Sequence, residues 1–399
     1  MVLPFSSPRL LLTLVAACAV MGLGQAALFT FQPLLMAATG LSLARINGAF
    51  ALGSALFLVG TPLWALVGDR IGRKPVLMVA LTGFLVSHVF LLGLVLACRA
   101  GRLSGDAVGV GLLLSRVVYG LTVSGLVTAT QGWLVAGWPA DKRLPGLSRL
   151  SAGLTFGRLV GPLLAAATLW VSPLGPLWLV ALAALPVLAA LGGLAEARTM
   201  PTVATVRPWP VWRGLAPYWL VAFVSQCTLG LVQYVTASWL VARLHWSPEV
   251  AAARLGGMMG LAGAGSLAVQ LLLLPRLARA ERQAVRAAWG LVPALALMPL
   301  TGSGWSAWLG LASLAAVLAL VVPTYTHRAV EVTGAGNPGR VSAALATAHT
   351  VGYTVSAALG GWLFDRHPDA PLWLAVLGAL LLAGMLGRVI RPSREAAMP

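Results

Sequence analysis

The chain has 399 residues, of which 59% are hydrophobic and only 9% are Asp, Glu, Lys or Arg. Soluble domains carry about 25% charged residues, so this composition, with a mean hydropathy of +0.89, excludes a soluble globular protein and indicates a chain embedded in a bilayer. The net charge of +17 lies almost wholly between apolar segments, so we predict no nucleic-acid partner.

The apolar segments predict an all-α membrane protein with twelve transmembrane helices. A helix needs roughly 20 apolar residues to cross the hydrocarbon core, and continuous runs favour helices over barrel strands. The first run continues past Met36 without a cleavage site, so we interpret it as a span and not as a signal peptide. The predicted spans are 10–36, 46–68, 75–98, 107–137, 148–171, 175–195, 215–242, 251–275, 284–303, 305–326, 340–363 and 370–390.

The basic residues orient these spans. Nineteen Lys and Arg residues lie in the loops on the side of the N-terminus, and six lie in the loops on the other side. Because cytoplasmic loops carry an excess of Lys and Arg, both termini are predicted to be cytoplasmic. The two remaining basic residues, Arg116 and Arg158, fall inside predicted spans.

The longest polar interruption divides the chain into two halves. Residues 196–214 contain three prolines and three arginines, which predicts an irregular cytoplasmic linker. The domains are therefore 1–195, with six spans, the linker 196–214, and 215–399, with six more. This is the outline of a two-halved transporter with its site near the midplane.

The loop after the second span concentrates charge around a glycine. It reads ALVGDRIGRKPVL over residues 65–77. Asp69 can accept backbone N–H groups or pair with an arginine, and Gly72 permits a tight turn. Such a cluster could latch two halves in one state; the alternative is a basic anchor with an incidental acid.

This loop resembles the signature loop of the major facilitator superfamily, with Ala65 in place of the usual leading glycine. Leu112, Arg116, Tyr119 and Gly120 are similar to that family's motif around a membrane-embedded arginine. The resemblance implies two six-helix halves that alternate access to a central site. It also implies gating roles for Asp69, Arg70, Gly72 and Arg73, and a coupling role for Arg116.

The fifth span carries glycines four residues apart. Gly153, Gly157 and Gly161-Pro162 resemble the motif of the family's drug/proton antiporters, which are exporters, although Ala165-Ala166 replaces the usual following glycines. Glycines at this spacing allow close helix approach, and a proline disrupts the backbone ladder. The resemblance implies that Gly157, Gly161 and Pro162 help to close a leak path; the alternative is ordinary packing of small residues.

Arg116 and Arg158 are predicted to lie near the midplane, where charge is costly and usually functional. All ten acidic residues map to loops or span ends. Two arginines without buried acids favour a substrate with carboxylate, hydroxamate or catecholate groups. The alternative is that the arginines bond to backbone carbonyls, to Asp69, or to each other's helices.

Further polar side chains mark a predicted cavity wall. In the family, spans 1, 4 and 7 line the cavity, and here they carry Gln25, Gln32, Gln131, Gln226, Gln233 and Tyr234. Trp239 could stack on a ligand. Hydrogen bonding between helices is the alternative for each glutamine.

An ion gradient, with protons as first choice, is the predicted energy source, and no cofactor or metal is predicted. His349 is preferred over His88 as the proton carrier, with Asp69 and Glu331 as alternatives. Cys18, Cys98 and Cys227 form no CxxC pair, which argues against a redox or metal site.

These features predict a secondary active transporter that exports a small anionic or zwitterionic metabolite, such as a siderophore, by alternating access. The alternatives are a broad multidrug efflux antiporter and an importer of a small organic solute. A membrane enzyme is disfavoured because the sequence contains no HExxH motif and no recognisable catalytic set. We expect a monomer in the bacterial inner membrane.

Overall fold

The computed structural model describes residues 8–195, 212–276, 280–333 and 338–390, and these residues form helices without any strand. The helices are α1 (Pro8–Thr39), α2 (Leu43–Ile71), α3 (Arg73–Arg99), α4 (Gly105–Gly137), α5 (Ala140–Leu169), α6 (Gly175–Gly192), α7 (Trp212–Leu244), α8 (Pro248–Ala268), α9 (Ala280–Thr301), α10 (Gly304–Val332), α11 (Pro338–Phe364) and α12 (Ala370–Val389). Helices α4 and α6 are each interrupted once, after Val123 and after Leu182.

Each predicted span coincides with one of these helices, so the all-α membrane fold is confirmed. Within the described residues, eleven helical stretches are long and apolar enough to cross a bilayer. The remaining helix, α11, has 27 residues but carries a run of polar side chains, including His349, Thr350, Tyr353 and Thr354. The cytoplasmic position of the termini stays a prediction.

The helices group into two compact units. Among the described residues, unit 1 comprises 8–195 and 246–260, and unit 2 comprises 212–245, 261–276, 280–333 and 338–390. The predicted linker 196–214 lies outside the described residues up to residue 211, and α7 already begins at Trp212. The proposed division into 1–195 and 215–399 stays a prediction.

In unit 1, helices α1 and α5 approach so closely that backbone carbonyls of one face glycines of the other. A Cβ atom added at Gly153 would lie 2.6 Å from the Val15 oxygen, and one at Gly161 would lie 2.7 Å from the Leu23 oxygen. A Cβ at Gly157 would overlap the Ala19 oxygen, midway between them. Glycine is therefore required along this stripe, because backbones this close leave no room for a side chain.

The interruption of α4 at Ser124 is stabilised by side chains. The carbonyl of Leu121 accepts a hydrogen bond from the Trp64 indole Nε1 of α2 at 2.6 Å and from the Ser124 hydroxyl at 3.1 Å. Polar groups freed by a broken helix must be bonded again inside a membrane. The break lies eight residues after Arg116, so it separates the part of α4 that carries the arginine from its other end.

In unit 2, α7 packs against α10, α11 and α12. The contact with α11 is also close, since a Cβ atom added at Gly352 would lie 2.5 Å from the Phe223 oxygen. This packing brings the polar side chains of α7 and α11 next to each other.

Candidate functional site

Arg116 of α4 is almost completely buried, with 2% of its surface exposed. Its Nη2 donates to the Ser115 hydroxyl at 2.9 Å, and that hydroxyl donates to the Ser87 carbonyl, also at 2.9 Å. Its guanidinium carbon lies 5.4 Å from the ring centre of Phe50 and 5.2 Å from that of Tyr119. Its buried Nε has no hydrogen-bond partner.

Burying the charge of Arg116 costs free energy, and its contacts return part of that cost. An arginine at the bilayer centre costs about 3 kcal/mol on insertion scales, and each cation–π contact returns about 1 kcal/mol. The two rings and the single hydroxyl bond thus offset most of this cost. They leave the buried Nε of Arg116 without a hydrogen-bond partner.

Tyr119 and His88 lie beside this arginine. The two rings meet edge to face, with centroids 5.5 Å apart. The Nδ1 of His88 lies 2.7 Å from the Phe84 carbonyl, whereas its buried Nε2 has no partner. The sequence motif drew attention to Tyr119 only as a neighbour of Arg116, and the packing of Phe50 on the guanidinium was missed altogether.

Arg158 of α5 is exposed, in contrast to Arg116. Its Nη2 donates to the Gln25 side-chain oxygen of α1 at 3.0 Å. The Gln25 amide also lies beside the Tyr119 hydroxyl without closing a well-formed hydrogen bond. Gln25 and Tyr119 therefore lie between the two predicted arginines and bring them to one site.

The depths of the two arginines agree. Arg116 is eleven residues from the start of α4, and Arg158 is eleven residues from the end of α5. Consecutive spans run in opposite directions, so the two arginines lie about 16 Å, measured along the helix axes, from neighbouring helix ends on the same side. We call Gln25, Arg116, Tyr119 and Arg158 the arginine site.

No acidic side chain pairs with either arginine among the described residues. Asp69 pairs with Arg73, and Asp106 pairs with Arg45. The alternative interpretation had allowed Arg116 to bond to Asp69 or to a backbone carbonyl, and it bonds to neither. Arg158 of α5 bonds to the neutral side chain of Gln25 on α1, so no negative charge compensates its positive charge.

The other glutamines of unit 1 lie elsewhere. Gln32 is fully buried and its Nε2 donates to the Asn47 side-chain oxygen of α2 at 2.7 Å. This contact is the helix-to-helix hydrogen bond considered as the alternative for Gln32. Gln131 lies on an exposed part of α4 beyond the interruption at Ser124.

The charged loop between α2 and α3 forms a compact cluster. The Arg73 guanidinium pairs with Asp69 and donates to the Ala65 carbonyl at 3.2 Å. Gly72 has a positive φ of 98°, which favours glycine, and its N–H donates to Gly68. The exposed Arg70 lies outside this cluster.

Two contacts of this loop were not predicted. Lys74 donates to the carbonyls of Gly192 and Leu194 at the end of α6, where a cation also complements the helix dipole. A Cβ atom added at Gly132 of α4 would lie 2.8 Å from the Arg73 Nε. The loop thus joins α2, α3, α4 and α6 within unit 1.

Pro162 lies on the buried side of α5, next to the glycine stripe. A Cβ atom added at Gly256 of α8 would lie 2.6 Å from the Pro162 carbonyl. The motif of the fifth span therefore packs on α1 along its glycines and on the first part of α8 beyond them.

Unit 2 contains a second set of polar contacts. The Tyr353 hydroxyl of α11 donates to the Gln233 side chain of α7. The Tyr353 ring lies 5.3 Å from the buried ring of Tyr234. Gln226 is partly buried where α7 meets Gly352. Gln226, Gln233 and Tyr234 therefore lie on or beside the contact between α7 and α11.

His349 is partly buried one turn before Tyr353, and its Nε2 lies 2.5 Å from the Tyr325 hydroxyl of α10. Trp239, in contrast, is fully buried and its Nε1 donates to Asp369 at 2.7 Å. Its indole has no exposed face for ligand stacking within this unit. No group of three or more His, Cys, Asp or Glu residues that could hold a metal ion occurs in the described ranges.

Comparisons with known proteins agree with this architecture. A family model described as Major Facilitator Superfamily matches residues 14–357. The "Staphyloferrin B transporter" of Staphylococcus aureus (strain NCTC 8325 / PS 47) is 32% identical over 120 residues, which cover 30% of this chain and 26% of that protein. The chain thus matches only about a quarter of that relative's length.

Two solved structures share the fold over nearly the whole chain. A D-xylose-proton symporter has a TM-score of 0.76 at 16% identity, covering 98% of this chain and 99% of its own. A bacterial homologue of the iron transporter ferroportin in its inward-facing state has a TM-score of 0.73 at 13% identity, covering 97% and 100%. These TM-scores show a common fold, in agreement with the resemblance of the Asp69 loop.

Proposed function

Because this chain belongs to the major facilitator superfamily, we propose that it is an ion-gradient-driven exporter of a small anionic or zwitterionic metabolite. The chain is a multi-pass membrane protein and a transporter of small molecules, not an enzyme.

The arginine site supports the proposal that the substrate is negatively charged. Arg158 is exposed and oriented by Gln25, and Arg116 lies behind Tyr119 with an unpartnered Nε. A carboxylate, hydroxamate or catecholate oxygen that accepts from Arg158 would gain a charge-assisted hydrogen bond of about 1.5–3 kcal/mol. A cationic drug would instead meet two like charges with no acid to balance them.

The glycine stripe between α1 and α5 supports export over import. It is similar to the exporter motif. It also brings the backbone of α1 into close contact with that of α5, the helix that carries Arg158. The partial similarity to a protein named for staphyloferrin B supports a siderophore as the first candidate substrate.

We propose that protons drive the transport and that His349 is the residue that carries them. It is a partly buried histidine about midway along α11, bonded to Tyr325, and an unperturbed histidine titrates near neutral pH. The site of action would be a bacterial inner membrane, and the chain would act as a monomer.

The substrate charge is tested by binding to the purified full chain. The probes are citrate, 2,3-dihydroxybenzoate and acetohydroxamate, with ethidium as the cationic probe. We expect at least one anionic probe to bind, and Arg158→Gln to weaken its binding by about 10- to 100-fold, as the loss of one charge-assisted bond implies. Arg102→Gln is the matched control, because Arg102 is an exposed loop residue.

Unchanged binding in Arg158→Gln, or binding of ethidium alone, would contradict an anionic substrate. Direction and identity are tested separately, by deleting the gene and profiling the culture medium. Loss of one secreted iron chelator supports siderophore export. Normal secretion combined with drug hypersensitivity would instead favour the multidrug alternative, and lost uptake of a solute would favour the importer.

A further inference from the structure

An apolar groove runs between α3 and α4 in unit 1. Its volume is about 670 Å³, and it is lined by residues within 89–94 of α3, by Leu103 of the connecting loop, and by residues within 107–114 of α4. Every lining residue is apolar. At Gly93, which lines the groove, an added Cβ atom would meet nothing within 4 Å, so this part of α3 borders open space.

The groove lies on the face of α4 that points away from the arginine site. Arg116 follows Ala107, a lining residue, by nine residues or about two and a half turns, so the two side chains leave opposite faces of the helix. On the groove side, Val110 and Leu114 are 55% and 53% exposed. Exposed apolar faces of spans contact lipid, whereas charged groups face the interior. Because the chain is a multi-pass membrane protein, the groove is continuous with its lipid-facing surface.

The size and the chemistry of the groove restrict its occupant. Ligand pockets measure about 300–1,000 Å³ and contain a few polar groups that orient the ligand. The groove has this size but no polar side chain in its lining. It therefore suits a hydrocarbon chain and not a polar or charged solute.

The length of the groove fits one leaflet of a bilayer. From Ala107 to Leu114 it extends about 10 Å along α4, at about 1.5 Å per residue, and Leu103 extends it toward the loop. One leaflet accounts for about 15 Å of a hydrocarbon core that is about 30 Å thick. A hydrocarbon chain in the groove would thus lie along most of one leaflet, with its polar end at the α3–α4 loop.

We propose that the groove between α3 and α4 binds one acyl chain of a membrane phospholipid, from the leaflet next to the α3–α4 loop. The head group stays outside the groove, at the end where Leu103 lies. The bound acyl chain fills the space over Gly93 and packs on the face of α4 opposite Arg116. Binding of this kind is independent of the transported molecule and of the direction of transport.

Photo-cross-linking of the full chain in lipid nanodiscs tests this binding. The probe is a phosphatidylcholine with a diazirine on one acyl chain, and mass spectrometry locates the adducts on the protein. We expect the adducts to concentrate within 89–94 and 107–114. Gly93→Phe fills the groove and should reduce these adducts by about 10-fold, as the displacement of about two buried methylene groups implies.

Gly384→Phe on α12 is the matched control. Gly384 is also an exposed glycine at which an added Cβ atom would meet nothing within 4 Å, but it does not line the groove. This variant should leave the adducts in the groove unchanged. If Gly93→Phe does not fold, Ala107→Leu narrows the groove from the side of α4 and should also reduce the adducts.

Adducts spread evenly over the exposed faces of the spans, or adducts in the groove that persist in Gly93→Phe, would overturn the proposal. Coverage of the groove by a second copy of the chain would overturn it as well. That outcome would appear as an absence of lipid adducts, together with disulfide-linked dimers of a Val110→Cys chain in which Cys98 is replaced by Ser.

Discussion

At the scale of single residues, Arg116 is held by aromatic rings in place of an acid. Phe50 and Tyr119 provide the contacts, and the planar guanidinium suits them better than a lysine ammonium, which is compact and strongly hydrated. Its position therefore depends on shape as well as on charge, and the two can be separated by substitution.

We predict that Arg116→Gln folds at least as stably as the unaltered chain but loses most transport. The variant removes a buried cation that costs about 3 kcal/mol at the bilayer centre and that the protein offsets only in part. Arg116→Lys should lose transport as well, because the stacking is lost. Thermal unfolding and transport in proteoliposomes measure the two effects. A destabilised Arg116→Gln chain would show that the arginine has a structural role.

A second prediction concerns the buried pair of Gln32 and Asn47. Asn47→Leu leaves the Gln32 amide without its recorded partner and should lower the free energy of unfolding by about 1–3 kcal/mol. The double variant Gln32→Leu, Asn47→Leu should recover most of this loss, because both polar groups are removed. Transport should persist in the double variant. If transport is abolished while stability recovers, Gln32 contacts the substrate after all.

At the scale of helices, the contact of α1 with α5 depends on the absence of side chains. We predict that Gly157→Ala lowers the free energy of unfolding by about 1–3 kcal/mol, as overpacking usually does. Because the added methyl group separates α1 from α5, transport should also be reduced. Gly48→Ala on α2 is the control, because a Cβ atom there meets nothing within 4 Å. Equal thermal stability of the two variants would contradict the close contact.

Hydropathy predicted the helices well because each span must satisfy its own backbone in lipid. The ends were less predictable: α1, for example, runs to Thr39 where the prediction ended at residue 36, since a helix can continue beyond the hydrocarbon. The interruption at Ser124 was missed because its stabilising partner, Trp64, lies 60 residues away on another helix.

The candidate site was predicted in its residue types but not in its contacts. Gln25, Arg116 and Arg158 stood out because polar groups are rare in apolar segments. Phe50 and Tyr325 could not be recognised, since an aromatic residue in a span usually serves packing alone. Their importance depends on which side chain they meet, and the sequence pattern does not encode that distance.

At the scale of the whole molecule, the distribution of basic residues predicts which loops face outward. After Cys98 is replaced by Ser, Arg102→Cys should react with a membrane-impermeant maleimide on intact cells. Lys142→Cys should react only after the membrane is permeabilised. Both side chains are exposed in the structure, so a difference in labelling reports the side of the membrane. The reverse pattern would invert the predicted topology.

The side chains that hold the Leu121 carbonyl also make α4 easy to bend. Because Trp64 and Ser124 already bond this oxygen, a change of angle at the break sacrifices little backbone hydrogen bonding. The segment beyond it, Gly125–Gly137, has 13 residues and is about 20 Å long, so a bend of about 10° would move its far end by about 3 Å. The interruption can thus act as a hinge of α4, with Arg116 on the segment before it and the indole of Trp64 bonded at the hinge itself.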